Sequence, residues 1–352
     1  MPDLTASIEA VEQPLDQDTC DAICALWKSE GAEIDDLEER LSQIAFVAYA
    51  GGDLVGITSA QLIREQHTQQ HLYSLRALVR KDWQQQPLAY NLLAHNIEVK
   101  GDAFSDGSDL TAIGVLVEVE AAFAIDRTTF PSHREYQFPV NKTPKTFYFI
   151  GFDQRGIGEY VHYFPGAKIM GMPKRPPSIN PQSAVPTPEL KQELVRDTLS
   201  AAQQEELITL WLEAGVLSSR KDCLARIPQV AALAYSSTGA IVGVGSVFPT
   251  VVPHLKVKLL GYRSFISPGV RGGQTATELL NLIFEDQNSR FANGDSATPL
   301  PGMVYLLQNA QLNASVVDAV SPRSGFVLAG FDKQGRQIRA RYFDDAMLTL
   351  SE

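Results

Sequence analysis

Two glutamates with the spacing of a strand face are the first chemistry this sequence offers. The run Val115-Leu116-Val117-Glu118-Val119-Glu120 alternates with period two. Glu118 and Glu120 therefore share one face of a strand, ~6.5–7 Å apart, and Val115, Val117 and Val119 share the other. Like charges beside a cleft raise the pKa of at least one carboxyl, which suits a general base; the other reading is a plain solvated face. Arg76 and Arg263 come next. Each sits three residues before the end of a mostly apolar strand. A buried unpaired guanidinium is costly, so each needs a carboxylate, from a substrate or from an internal Asp or Glu. Two loops that run from a strand into a helix, at 79–89 and 266–276, complete the set. Such a turn presents unpaired backbone N–H groups, and the helix dipole favours an anion there.

Other reactive side chains carry less. His67 and His71 are spaced i, i+4 in a Gln-rich loop with no third ligand in sight, so no metal is expected. Cys20 and Cys24 share one helix face, which reads as buried thiols rather than half a metal site. Arg339 and Arg341 share one face of the last strand and read as charges protecting an edge.

The elements that must position these residues occur in the same order twice. A helix (18–29; 201–213) is followed by Gly31 or Gly215 as a stop signal. A hairpin follows (45–57; 230–247), then a strand (72–79; 258–266), a helix (87–98; 275–285), a strand (110–123; 303–308) and a closing hairpin (147–164; 326–343). Identical residues recur at nearly constant offset. Leu26-Trp27 matches Leu210-Trp211 at 184, and Arg40-x-x-Gln43 matches Arg226-x-x-Gln229 at 186. Val55-Gly56, Ser59, Arg76 and Leu92-Leu93 match Val242-Gly243, Ser246, Arg263 and Leu279-Leu280 at 187, and Gly151-Phe152-Asp153 matches Gly330-Phe331-Asp332 at 179. Two homologous halves are expected: an N-terminal domain over 1–169, a Pro-rich linker over 170–189 that cannot sustain helix or central strand, and a C-terminal domain over 190–352.

This order, with these residues, resembles the GNAT superfamily of N-acetyltransferases. That family's acyl-CoA loop runs Val-x-Pro-x-x-[Arg/Gln]-x-x-Gly-x-[Gly/Ala], then Leu-Leu on the helix. Here the first half reads Val79-Arg80-Lys81-Asp82-Trp83-Gln84-Gln85-Gln86-Pro87-Leu88-Ala89, and the second Ile266-Ser267-Pro268-Gly269-Val270-Arg271-Gly272-Gly273-Gln274-Thr275-Ala276. The resemblance implies an α/β (α+β) fold class, with two tandem GNAT-like domains, each a mixed, mostly antiparallel twisted sheet flanked by helices. It implies acetyl-CoA or another acyl-CoA held by Ile266, Ser267, Arg271, Gly272, Gly273, Gln274, Thr275 and Ala276, and by Val79, Gln84, Gln85, Gln86, Leu88 and Ala89. It implies transfer to a primary amine of a small molecule or peptide, with Glu118 or Glu120 as base and Arg76 and Arg263 as substrate contacts.

Departures keep rival readings open. Pro87 and Gln274 stand where the pattern has its central Gly, and Pro87 lacks an N–H. The second half has Gln308 and Asn309, not a carboxylate, at the place compared with Glu118. A non-catalytic pair of folds that binds a ligand or protein, or one active half with one supporting half, are the alternatives.

Composition sets the outer bounds. The chain has 352 residues, enough for two domains, with 44 % apolar and 20 % charged residues, as expected of a globular protein. Thirty basic against 41 acidic side chains leave a net charge of −11, which disfavours nucleic acid and anionic membranes and tolerates a cationic amine. The acidic N-terminus does not read as a signal peptide. Three cysteines cannot frame a disulfide scaffold, so a reducing cytoplasmic setting is expected.

Overall fold

The structure, a computed structural model, describes residues 6–350 except 85–86, 120–128, 137–144, 172–189, 196–197, 272–273 and 296–299. The Pro-rich segment predicted as a linker thus lies almost wholly outside the described residues. The chain divides into two compact units: Met1–Arg127 with His133–Met170, and Thr128–Ser132 with Gly171–Glu352.

In the first unit the elements run β1 (Ser7–Ala10), α1 (Gln17–Glu30), α2 (Leu37–Ser42), β2 (Ile44–Ala50), β3 (Asp53–Arg64), β4 (His71–Val79), α3 (Leu88–Asp106) and β5 (Gly114–Val119). After β6 (Thr129–Pro131), which belongs to the second unit, come β7 (His133–Tyr136), β8 (Lys145–Phe152) and β9 (Gly158–Tyr163). The sheet order is β1-β2-β3-β4-β5-β9-β8-β7. Only the β4–β5 pair is parallel among these strands.

Local sequence accounts for the helix boundaries. Asp16 caps α1 by accepting from the Thr19 N–H, and Gly31 ends it at φ 70°, a left-handed position that glycine adopts without strain. Strand alternation then builds two layers. Val47 and Ile57 pack under Ile23, Leu26 and Trp27 of α1, while Phe46, Ala48, Val55 and Val79 pack under Leu88 and Leu92 of α3.

The second unit runs β10 (Lys191–Leu194), α4 (Ala201–Glu213), α5 (Arg220–Arg226), β11 (Val230–Tyr235), β12 (Ile241–Val252), β13 (Val257–Ile266), α6 (Thr275–Asn293), β14 (Gly302–Leu306), α7 (Ala310–Ser315), β15 (Val327–Phe331), β16 (Gln337–Tyr342) and β17 (Met347–Thr349). Its sheet order is β10-β11-β12-β13-β14-β16-β15, and β17 pairs with β6. Here β13–β14 is the parallel pair. Ser200 and Gln203 form a capping box on α4, which buries Leu207, Ile208 and Trp211.

Register relations recur between the units. Ser59 pairs with Arg76 and Ser246 with Arg263. Gly151 sits at a bulge opposite Glu159, and Gly330 at a bulge opposite Ile338.

Three expectations need correction. The strand predicted over 110–123 starts only at Gly114, and its predicted residues 120–123 lie outside the described residues. Gly114 brings that strand's start against the backbone of β9, and the residues before it turn through Asp109, whose carboxylate accepts from Thr111. Gln308 and Asn309 do not occupy the place of Glu118; by register Leu306 does. Arg339 and Arg341 are not on an edge, because β16 lies between β14 and β15. Arg339 is fully buried, bonded to Gln337 and to the Asp318 and Phe326 carbonyls.

Candidate functional site

The parallel pair opens partway along its length. β4 and β5 pair only at Tyr73–Val115, Ser74–Leu116 and Leu75–Val117, after which β4 continues to Val79 and β5 to Val119 unpaired with each other. The first positions past the last pair are Arg76 and Glu118. Alternation puts both on the face shared by Ser74 and Leu116. In the second unit the pairs are Leu260–Met303, Gly261–Val304 and Tyr262–Tyr305, so Arg263 and Leu306 come first past the last pair.

From the opening, each strand leads through a short 3-10 turn to a helix N-terminus with no side-chain cap: Pro87 before α3 and Gln274 before α6. The first-turn N–H groups at these ends are outside the helical ladder and suit an anion. Val79 and Leu88 are buried, Ala89 is half-buried and Gln84 is exposed, its amide 3.5 Å from the Val79 carbonyl. Gln85 and Gln86 lie outside the described residues. In the second unit, Arg271 Nε donates to the Ile266 carbonyl at 2.8 Å, so that guanidinium folds back on its own loop. Ser267 is half-buried, Thr275 buried, and Gln274 and Ala276 exposed, with the buried Tyr262 hydroxyl donating to the Ala276 carbonyl. Gly272 and Gly273 lie outside the described residues.

Glu118 is half-buried and pairs with Arg155 Nη2 at 2.6 Å, while Arg155 Nε holds Asp153 at 2.6 Å. In the turn that carries Arg155, Asp153 accepts from the Arg155 and Ile157 N–H groups. Glu120, the predicted partner of Glu118, lies outside the described residues. The carboxylate that faces Glu118 is Glu159, directly opposite on β9. Glu159 is 5 % exposed. Burial, reinforced by Glu65, Asp153 and Glu118, pushes its carboxyl up to about 8. In the second unit the corresponding pair is Leu306 opposite Ile338.

No internal carboxylate pairs with Arg76 or Arg263 among the described residues. Arg76 is exposed, and its charge, after burial, holds Arg40 below the usual guanidinium range. Arg40 bonds Gln43 at 3.0 Å. In the second unit Arg263 bonds Gln229 and lies 4.3 Å above the Phe248 ring, yet its Nε has no hydrogen-bond partner. Arg263, Arg226 and Gln229 line a cleft of ≈ 280 Å³ with Leu217, Asp222 and Ala225. Each unit thus sets an Arg-Gln pair from its helical segment beside the arginine at the strand opening.

A mostly antiparallel sheet, helices on both faces, and one parallel pair that opens beside an uncapped helix N-terminus decide the fold. Each unit has the GNAT-type fold. Solved GNAT-fold structures similar to the chain include a GNAT-family acetyltransferase from Streptococcus pneumoniae (13 % identity, 45 % of this chain and 96 % of that one, TM-score 0.27). A phosphinothricin acetyltransferase from Sinorhizobium meliloti, solved with acetyl-CoA, is 15 % identical over 45 % of this chain and 90 % of that one (TM-score 0.30). A ribosomal-protein-alanine N-acetyltransferase from Brucella melitensis is 14 % identical over 45 % and 99 % (TM-score 0.28). No family model and no curated protein matches the chain.

Within this GNAT-type frame, Arg40, Gln43, Arg226, Gln229 and Glu159 stand beside the expected site residues. Arg40, Gln43, Arg226 and Gln229 were visible as identities in the repeat. Glu159 was visible only as a polar residue aligned, at offset 179, with Ile338. His67 lies against the β8–β9 hairpin, while His71 starts β4 and is exposed. No helix among the described residues is long and apolar enough to cross a membrane.

Proposed function

We propose that the chain is an acyl-CoA-dependent N-acyltransferase whose first unit performs the chemistry, and that the two units arose by tandem duplication. The observation that carries this reading is the placement of Arg76 and Glu118 on either side of the opening between β4 and β5. In the second unit the same positions hold Arg263 and Leu306, so that unit keeps the arginine without a carboxylate opposite it.

In this reading the acyl-CoA thioester lies in the opening, with its pyrophosphate against an uncapped helix N-terminus: Val79, Gln84, Gln85, Gln86, Leu88 and Ala89 in the first unit, Ile266 to Ala276 in the second. Pro87 contributes no N–H, so in the first unit the pyrophosphate rests on the Leu88 and Ala89 end of the helix; the second loop, without that loss, is the better anion cradle and binds an acyl-CoA of its own. The acceptor is a primary amine of a small molecule or peptide that also carries a carboxylate, held by Arg76 beside Arg40. Glu118 takes a proton from the ammonium, directly or through one water. The amine nitrogen then attacks the thioester carbonyl and the C–N bond forms; as the C–S bond breaks, the nitrogen releases its second proton to solvent and the thiolate takes one up. Glu120 attracts the ammonium form or tunes Glu118.

Calorimetry of the full chain with acetyl-CoA and longer acyl-CoAs, alongside turnover on amino-acid amines, tests the reading. Saturable binding with turnover is expected. Binding without turnover on any amine supports a ligand-binding protein instead, and absence of binding ends the acyltransferase reading.

A further inference from the structure

Glu65, His67 and Glu159 bring two carboxylates and an imidazole together, with ligand atoms all within 4.8 Å of one another. Glu65 is 2 % and Glu159 5 % exposed. The loop between β3 and β4 carries Glu65 and His67 against the β8–β9 hairpin. There His67 Nε2 lies 2.9 Å from the Phe152 carbonyl oxygen and 3.7 Å from Glu159 Oε2. Glu65 is oriented by three donors: the His67 N–H on Oε1, and the Thr68 N–H and hydroxyl on Oε2. Glu159 Oε2, in contrast, is buried and has no hydrogen-bond partner. An orphaned buried carboxylate oxygen is costly unless a ligand satisfies it.

The second unit shows that the fold does not need these charges. Its β12–β13 loop has the same register, Val251 opposite Lys258 as Arg64 is opposite His71, and the same left-handed residue, Lys256 at φ 52° against Gln69 at φ 55°. His254 takes the place of His67, its Nε2 2.9 Å from the Ala329 carbonyl. At the positions of Glu65 and Glu159 stand Val252 and Ile338, 7 % and 8 % exposed. One scaffold closes over two aliphatic side chains. The other buries two carboxylates around an imidazole and leaves one oxygen aimed at it unsatisfied.

We propose that Glu65, His67 and Glu159, with the Phe152 carbonyl, bind a first-row divalent metal ion of the zinc type. One imidazole nitrogen with carboxylate oxygens is a donor set for zinc rather than for calcium or magnesium, which favour all-oxygen shells. Ligands ~2.0–2.2 Å from a tetrahedral ion lie ~3.3–3.6 Å apart, so the His67–Glu159 distance needs little closing. On binding, His67 holds its proton on Nδ1 and offers the Nε2 lone pair. The Gln66 amide, 3.0 Å from the Phe152 oxygen, still donates to that carbonyl. The proton on Nε2 passes through solvent to Nδ1, and the proton displaced from Glu159 goes to solvent. The ion pins the β3–β4 loop to the strand opposite Glu118; it takes no part in acyl transfer, and the proposal stands without that reaction.

The test is zinc calorimetry and thermal melting on the full chain, stripped with chelator, in a Cys20→Ser/Cys24→Ser background that removes competing thiols. One equivalent of Zn²⁺ per chain and a rise in Tm are expected, with little response to Ca²⁺ or Mg²⁺. Glu159→Gln weakens zinc binding at least 100-fold. Glu65→Val/Glu159→Ile, which installs the second unit's residues, folds, melts no lower than the stripped parent and abolishes the response. Failure of the parent to bind zinc saturably, or undiminished binding by a folded Glu159→Gln and by the double variant, overturns the proposal.

Discussion

Glu118 on β5 lies directly opposite Glu159 on β9, and at the corresponding position of the second unit Leu306 lies opposite Ile338. The two sheets share register but not chemistry at this point. Burial, then Glu65 and Asp153, and last Glu118, hold the Glu159 carboxyl up.

Replacing Glu118 with Gln should lower turnover by ~10²–10⁴-fold while leaving acyl-CoA affinity unchanged, because the amide keeps the shape but cannot accept the ammonium proton. Steady-state kinetics with calorimetry on the same sample separates the two effects. Full turnover by a folded variant removes Glu118 from the chemistry.

Arg76→Gln should reduce kcat/KM for carboxylate-bearing amines ~10–100-fold, about 1.5–3 kcal/mol for a lost charge-assisted contact. Amines without a carboxylate should be nearly unaffected. Arg263→Gln should leave both classes unchanged if the first unit does the chemistry. Equal losses on both amine classes would make Arg76 structural.

Gly114 and Gly302 occupy equivalent positions at the start of β5 and β14. A Cβ at Gly114 would meet the His162 carbonyl oxygen at 2.4 Å, and one at Gly302 the Arg341 carbonyl oxygen at 2.6 Å. Both obstacles are backbone, so neither neighbour can swing aside. Alanine at either position should cost about 2–3 kcal/mol in chemical denaturation. A cost near zero at both would show that the close strand approach is absent.

His162 supplies a pH signature for the first unit. Burial, partly offset by the Thr146 carbonyl 3.0 Å from Nδ1, holds its pKa down to about 4. Between roughly pH 6.5 and 4 the unfolded chain takes up a proton that the folded chain refuses. The stabilisation is therefore complete above about pH 6.5 and lost as pH falls toward 4, by about 1–2 kcal/mol after allowance for partial exposure. His162→Phe should flatten that part of the stability–pH curve; an unchanged curve would show that His162 titrates normally.

Much of the architecture was already determined by sequence. Helical spacing with Gly31 and Gly215, the β-rich runs, and identities at nearly constant offset determine the element order and its repetition, because these patterns depend on neighbours within one or two turns. The arginines at the strand openings and the two helix-entering loops follow from the same local signals. Tertiary structure alone decided what faces what. The strands pair in the order β4-β5-β9-β8, so Glu118 meets Glu159 and Arg155, which are remote in sequence. Comparison by sequence placed Gln308 and Asn309 at the position of Glu118. Register places Leu306 there, since a slip of one or two residues is invisible to composition yet changes every cross-strand neighbour. The cluster of Glu65, His67 and Glu159 is the clearest case: two residues from one hairpin loop and one from a distant strand, brought together only because β9 sits between β5 and β8.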